Sequence, residues 1–275
     1  MAHTAPDLPL ELVQEIFISS AESSSRQAAL LATVSRETYE LIKPILLRTF
    51  VYWDQNTFQW PGPLTADWFK SNGKYARNLL VGGSYLDELI PLLGSCPNLV
   101  NIAIWFGSDW SSPMLLEQIS KLSPQRLSVN LIGLMSLERF TEKFAQLPVF
   151  TNLTHLELAS VCNAWEEVEG IQYLPKLTHL SMPEYADQAI ITLIRNALEY
   201  CAVLKVLVMF GQAGIGEVVV QVQTAGRVKE IGDPRIVSLH CNYLEEWLLS
   251  ASGGKGMWAL AEEIVASRLL VTSSV

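Results

Sequence analysis

The chain has 275 residues, 49% of them apolar, and a formal net charge of −9 from 28 acidic and 19 basic side chains. A chain of this length buries roughly three quarters of its unfolded surface, so its core needs no metal or disulfide. The absence of any Lys/Arg run argues against binding a phosphate backbone, and no 18-residue apolar stretch reads as a membrane span.

The opening, MAHTAPDLPLELVQ, has no basic leader, and Asp7 and Glu11 interrupt its apolar residues, so it does not read as a signal peptide. From Leu8 the spacing predicts a helix. Pro9 stands at its start, where a missing N–H is harmless. Leu8, Leu12 and Ile16 share one face, with Val13 and Phe17 beside them. Ser24 followed by Gln27 is a candidate capping box. A second helical run, RQAALLATVSRETYELI, comes next, and KPILLRTFVYWD ends as a strand. An aromatic segment with Trp53, Trp60, Trp68, Pro61 and Pro63 is expected to pack the N-terminal helices onto the body of the chain.

A phrase LxxLxL then recurs. Leu153, Leu156 and Leu158 return as Leu177, Leu180 and Met182, and matching sets begin at Ala76, Leu99, Arg126, Leu204 and Ile236. The steps between first positions are 23, 27, 27, 24, 27 and 32 residues. Between the phrases, 85–96, 113–122, 137–147 and 187–201 carry apolar residues at helical spacing. Strand, turn and helix therefore repeat, and each unit buries its apolar faces only by stacking on a neighbour. The pattern resembles a degenerate leucine-rich-repeat solenoid. The predicted fold class is α/β, with a parallel concave sheet, convex helices and a small all-α head.

The head also carries a resemblance. Leu8, Pro9, Glu11, Leu12, Ile16, Phe17, Leu30, Leu31, Val34, Ser35 and Arg36 make residues 1–50 similar to an F-box. Val34-Ser35-Arg36-Glu37-Thr38-Tyr39 stands where that family carries Cys-Lys-x-Trp. Joined to the repeats, it resembles the F-box/leucine-rich-repeat proteins of mushroom-forming fungi. The resemblance implies a non-catalytic substrate-recognition subunit of an SCF-type ubiquitin ligase. Leu8, Pro9, Leu12, Val13, Ile16 and Phe17 would dock on the adaptor subunit, which holds the cullin. The alternative is a repeat scaffold with no ligase role, its N-terminal helices serving as a cap. The expected division is 1–50 head, 51–72 connector, 73–250 repeats and 251–275 helical cap.

Strand alternation places the third and fifth residues of each phrase on the concave side. Candidate substrate-binding residues are Asn101, Trp105, Asn130, His155, Glu157, His179, Ser181, Val208 and Phe210, on a face expected to be solvated. His155 and His179 should be neighbours, since adjacent strands lie about 4.8 Å apart. A zinc site there is disfavoured, because it needs three fixed ligands and a shaped second layer. An apolar patch at Val206, Val208 and Phe210 could instead be covered by the C-terminal segment with Trp247 and Trp258.

Gly211, Gly214 and Gly216 come after a strand, but their spacing is GxxGxG, so a loop between repeats is expected rather than a nucleotide site. Cys96, Cys162, Cys201 and Cys241 form no CxxC pair; Cys96 and Cys201 occupy the same repeat position and read as buried thiols. Glu166-Glu167 and Glu262-Glu263 read as solvated pairs. With no catalytic motif, the expected protein is not an enzyme, takes no cofactor, binds no nucleic acid or membrane, and resides in the cytoplasm or nucleus.

Overall fold

The computed structural model describes residues 8–52, 66–82, 86–105, 113–134, 141–159, 170–184, 188–212, 219–221 and 226–272. Trp53, Trp60, Pro61, Pro63, Cys162, Glu166, Glu167, Gly214 and Gly216 lie outside them.

The chain begins with three helices, α1 (Leu10–Ser23), α2 (Ser25–Leu31) and α3 (Arg36–Leu46). Pro9 is the residue before α1, with an extended ψ of 142°. Ser35 caps α3, its Oγ accepting from the Thr38 N–H at 3.0 Å. The expected capping box at Ser24 does not form: Ser24 makes no cap bond, and the Gln27 carbonyl accepts from Ser23 Oγ at 2.5 Å instead. The helices meet around Ala21, Ala28 and Ile42, with Leu31, Leu41, Ile45 and Leu46 partly enclosed.

The rest of the described chain builds one sheet. Its strands are β1 (Thr49–Tyr52), β2 (Asn78–Gly82), β3 (Asn101–Trp105), β4 (Arg126–Val129), β5 (His155–Leu158), β6 (His179–Pro183), β7 (Val206–Gln212), β8 (Val219–Gln221) and β9 (Ile236–Cys241). β1 to β7 and then β9 lie side by side, all parallel, and β8 closes the edge antiparallel to β9. Between the strands come α4 (Ala66–Asn72), α5 (Leu86–Gly94), α6 (Pro113–Ile119), α7 (Leu131–Leu134), α8 (Glu142–Ala145), α9 (Pro148–Thr151) and α10 (Gln188–Tyr200). After β9 come α11 (Tyr243–Ala251) and α12 (Met257–Thr272). The helical cap thus starts at 243, ahead of the expected 251.

The pairing corrects the phrasing at two places. Asn101 lies opposite Arg126, and Arg126 opposite His155, so the unit containing β4 starts at Pro124 rather than Arg126. Leu207 lies opposite Ile236, so the unit containing β9 starts at Asp233. Thr49 lies opposite Asn78, which adds an earlier unit starting at Leu47. The equivalent positions are then Leu47, Ala76, Leu99, Pro124, Leu153, Leu177, Leu204 and Asp233, with steps of 29, 23, 25, 29, 24, 27 and 29 residues. The long step of 32 disappears. Pro124 and Asp233 hid these starts because neither is the apolar residue that the phrase calls for.

The same backbone bond links the first seven units in turn. Asn78 N–H donates to Arg48 O, Asn101 to Arg77 O, Arg126 to Val100 O, His155 to Gln125 O, His179 to Thr154 O and Val206 to Thr178 O, at 2.9–3.1 Å. One sheet face carries Phe50, Leu79, Ile102, Leu127, Leu156, Leu180 and Leu207 into the main core against the helices between strands, among them Leu93, Ile119, Phe150 and Ile194. Burying each such side chain is worth about 1.5–3 kcal/mol. The opposite face carries the candidate site.

Candidate functional site

Parallel pairing lines up the side chains of this second face across the sheet. Asn78, Asn101, Arg126, His155, His179 and Val206 form one row. Leu80, Ala103, Ser128, Glu157, Ser181, Val208 and Val237 form the next. The expected adjacency of His155 and His179 is present: their rings stack with centroids 4.1 Å apart and planes 4° from parallel. The phrase beginning at Ile236 would place Ser238 and His240 on this face. Pairing puts Val237, Leu239 and Cys241 here instead.

The face is not solvated, which overturns that expectation. α11 and α12 lie across it. Leu80 and Ala103 pack with Trp247 and Ala251 of α11. Val206, Val208, Phe210, Val237 and Leu239 pack with Met257, Trp258, Ala261 and Val265 of α12. Asn101, Asn130, Glu157, His179, Ser181, Val208 and Phe210 are all buried, and Trp105 and His155 are half-buried. The alternative reading, in which the C-terminal segment covers Val206, Val208 and Phe210, is the one observed; sheet alternation by itself says which residues share a face, not what lies over it. The signal was present in Trp247 and Trp258, which bury large areas when they find a partner surface.

Polar contacts tie the cover down. Asn78 Nδ2 donates to Ala251 O at 3.2 Å, and Arg126 Nη1 donates to Ser250 Oγ at 2.5 Å. Trp105 Nε1 donates to Ser128 Oγ at 2.7 Å, and Ser128 in turn contacts the Glu157 carboxyl. Trp258 meets both stacked imidazoles edge-on, with its centroid 5.4 Å from each. Glu262 Oε1 lies 3.1 Å from His179 Nε2. Arg268 Nη1 donates to Ile236 O at 2.6 Å.

Burial shapes the titration of these groups. It pushes His155 down to about 2, with His179 and Arg126 adding like-charge repulsion. His179 is lowered too, chiefly by burial and further by Arg126 and Lys205, against the pull of Glu262. Both rings are therefore neutral, each with one N–H. Thr154 Oγ1 lies 3.0 Å from Gln125 O and 2.9 Å from His155 Nδ1. Its hydrogen goes to the carbonyl, and His155 Nδ1–H donates to its oxygen. His179 stands in the same arrangement, with Thr178 Oγ1 3.0 Å from Thr154 O and 2.8 Å from His179 Nδ1, while Nε2 lies 3.1 Å from Glu262 Oε1. Burial raises Glu157 to about 7, opposed by the Ser128 hydroxyl.

A small cavity of about 30 Å³ lies between β3–β5 and the two covering helices, lined among others by Arg126, His155, Glu157, Glu246, Trp247 and Trp258. It has room for roughly two or three water molecules. Trp247 Nε1 and Glu246 Oε2 are buried without a hydrogen-bond partner among the described residues. The Thr154–His155 pair does not form a nucleophile and base, because the hydroxyl is committed to the backbone ladder. Among the described residues no three His, Cys, Asp or Glu side chains converge as metal ligands. Cys96 and Cys201 are buried thiols raised by burial to about 11, as their shared repeat position suggested. Among the described residues no helix is long and apolar enough to cross a membrane.

The head presents a different surface. Leu8 is 59% exposed, Leu12 45% and Ile16 54%, and Leu10, Leu30, Val34 and Tyr39 are exposed as well. Pro9 is exposed, and Val13 and Phe17 are half-buried. Of the six expected docking residues, four thus face solvent and two lie partly within the head.

The chain matches no protein-family model, and no curated protein is significantly similar to it.

Proposed function

We propose that the chain is a substrate-recognition subunit of an SCF-type ubiquitin ligase, with an F-box head and a leucine-rich-repeat body. The head binds the adaptor subunit, and through it the cullin. The observation that carries this reading is the apolar surface of the head, where Leu8, Leu10, Leu12, Ile16, Leu30, Val34 and Tyr39 are exposed. Exposed leucine and isoleucine concentrated on one small unit mark an interaction site. Pro9 opening α1 and the stack of parallel strands with a 23–29-residue period are what the family resemblance calls for. Its task is positional: holding a substrate beside the ubiquitin-loaded transfer enzyme raises the effective concentration of the acceptor lysines. No step of bond chemistry is assigned to this chain, and its expected place is the cytoplasm or nucleus.

Co-purification with the adaptor tests this reading. Replacing Leu8, Leu12 and Ile16 by Asp should abolish association and leave thermal unfolding of the body unchanged, since all three are exposed. Binding that survives the triple substitution would defeat the docking assignment. A wild-type chain that never retains adaptor favours a second reading, a repeat scaffold without a ligase role. The burial of the second sheet face beneath α11 and α12 gives that reading its support.

A further inference from the structure

The sheet face assigned to recognition is occupied, and the occupant is a helix of the same chain. α12 seats Trp258, Ala261 and Val265 on Val206, Val208, Val237 and Leu239. These residues stand at i, i+3 and i+7, one stripe of a helix, laid on an apolar floor built by strand alternation. One turn beyond Trp258, Glu262 reaches His179.

Charge selects what can lie there. Arg126, His155 and His179 stand in one row across β4, β5 and β6, and Lys205 just before β7 acts on His179 from the other side. Glu262 is the acidic group that α12 brings to this row. Its side chain is still 51% exposed, so its release leaves no carboxylate buried.

The connection is short and rich in glycine. Residues Ser252-Gly253-Gly254-Lys255-Gly256 join α11 to α12, and Gly253 has φ +83°, a conformation open to glycine at no steric cost. Lys255 pairs with Glu263 on the exposed side. Beyond the apolar stripe, α12 is tied to the sheet by Glu262 and by Arg268. Leu269 and Leu270 of the same helix remain exposed.

We propose that the face of β5, β6, β7 and β9 is a helix-docking surface held in this structure by α12, and that it accepts in exchange a partner helix of the same pattern. That pattern is an aromatic residue, a small residue three positions on, a glutamate four on and a branched aliphatic seven on. This is recognition of an amphipathic helix in a groove. The inference rests on the reading that this face recognises a protein. α12 then sets the threshold: being tethered, it competes at an effective concentration on the order of millimolar.

The test uses the full chain and a fluorescently labelled synthetic peptide of residues 257–272, with anisotropy read in the absence of adaptor. In the Glu262→Lys chain the tethered helix faces Arg126 and Lys205 with a like charge. The peptide should bind that variant saturably and at least about tenfold more tightly than it binds wild type, as a weakened tethered competitor requires. A peptide carrying Trp258→Ala should not bind. Equal affinity for both chains, or no binding to a variant that keeps its circular dichroism, overturns the proposal. Should Glu262→Lys fail to fold, hydrogen exchange on the wild type decides. α12 amides exchanging ahead of those in β6 and β7 support displacement, and exchange only together with those strands overturns it. Adaptor binding plays no part in either readout, so failure here leaves the head's assignment standing, and the reverse also holds.

Discussion

His155 and His179 are neutral because the fold buries them, and this sets a direction for stability against pH. Both titrate near 6.5 once unfolded, whereas His155 is held near 2 and His179 is lowered in the native chain. Their contribution is complete above pH 6.5 and is lost as pH falls below it, since only the unfolded chain then takes up the protons. With Glu157 replaced by Gln, so that its opposite titration is removed, the melting temperature should drop between pH 7 and 5.5. His155→Phe, which keeps a flat ring on His179, should drop less. Glu157 runs the other way. Its unfolded value is 4.5 and its native value about 7, so its contribution is complete below pH 4.5 and is lost as pH rises through 7. Glu157→Gln should raise the melting temperature at pH 8 and leave it nearly unchanged at pH 4. Thermal scans of the two variants at three pH values check both signs, and variant profiles that run parallel to the wild type would count against the burial of these groups.

Among the elements, the close fit lies where the units join. Gly73 opens a 3-10 turn between α4 and β2, and a Cβ there would run into Ser95 O and lie 3.0 Å from Cys96 Sγ. Backbone of the next unit cannot swing aside as a flexible side chain can. Gly73→Ala should therefore cost about 1–3 kcal/mol through overpacking, read from urea unfolding. The head depends on fewer contacts. Ile42 is fully buried in the small cluster of α1, α2 and α3. Ile42→Ala should cost about 2–5 kcal/mol, seen as lost amide protection in residues 10–46 ahead of the strands. Equal loss throughout the sheet would show that head and body melt as one.

For the whole molecule, covering both faces of the sheet is the dominant fact. The helices between strands close one face and α11 with α12 close most of the other. Parallel sheets are characteristically buried on both sides, and here the second cover comes from a single C-terminal segment. Removing residues 243–272 uncovers Leu80, Ala103, Val206, Val208, Phe210 and Leu239 together. The truncated chain should aggregate or bind a hydrophobic dye where the full chain does neither, as size-exclusion chromatography and dye fluorescence would show. A monomeric, dye-silent truncation would mean that the cover is dispensable.

The repeat, the parallel sheet and the facing of Asn101, His155, Glu157, His179 and Val208 were legible from the sequence. They arise from local periodicity: leucines at fixed spacing make strands whose alternate side chains share a face. Periodicity failed at Pro124 and Asp233, where the first position of a unit is not apolar, and hydrogen-bond register alone located those units. It also failed at the second face. Val206, Val208 and Phe210 look the same in sequence whether water or Trp258 lies against them, because burial depends on where a segment some fifty residues later comes to rest. The chain's own residues determined which groups stand in line, and only tertiary packing decided that α12 lies over them.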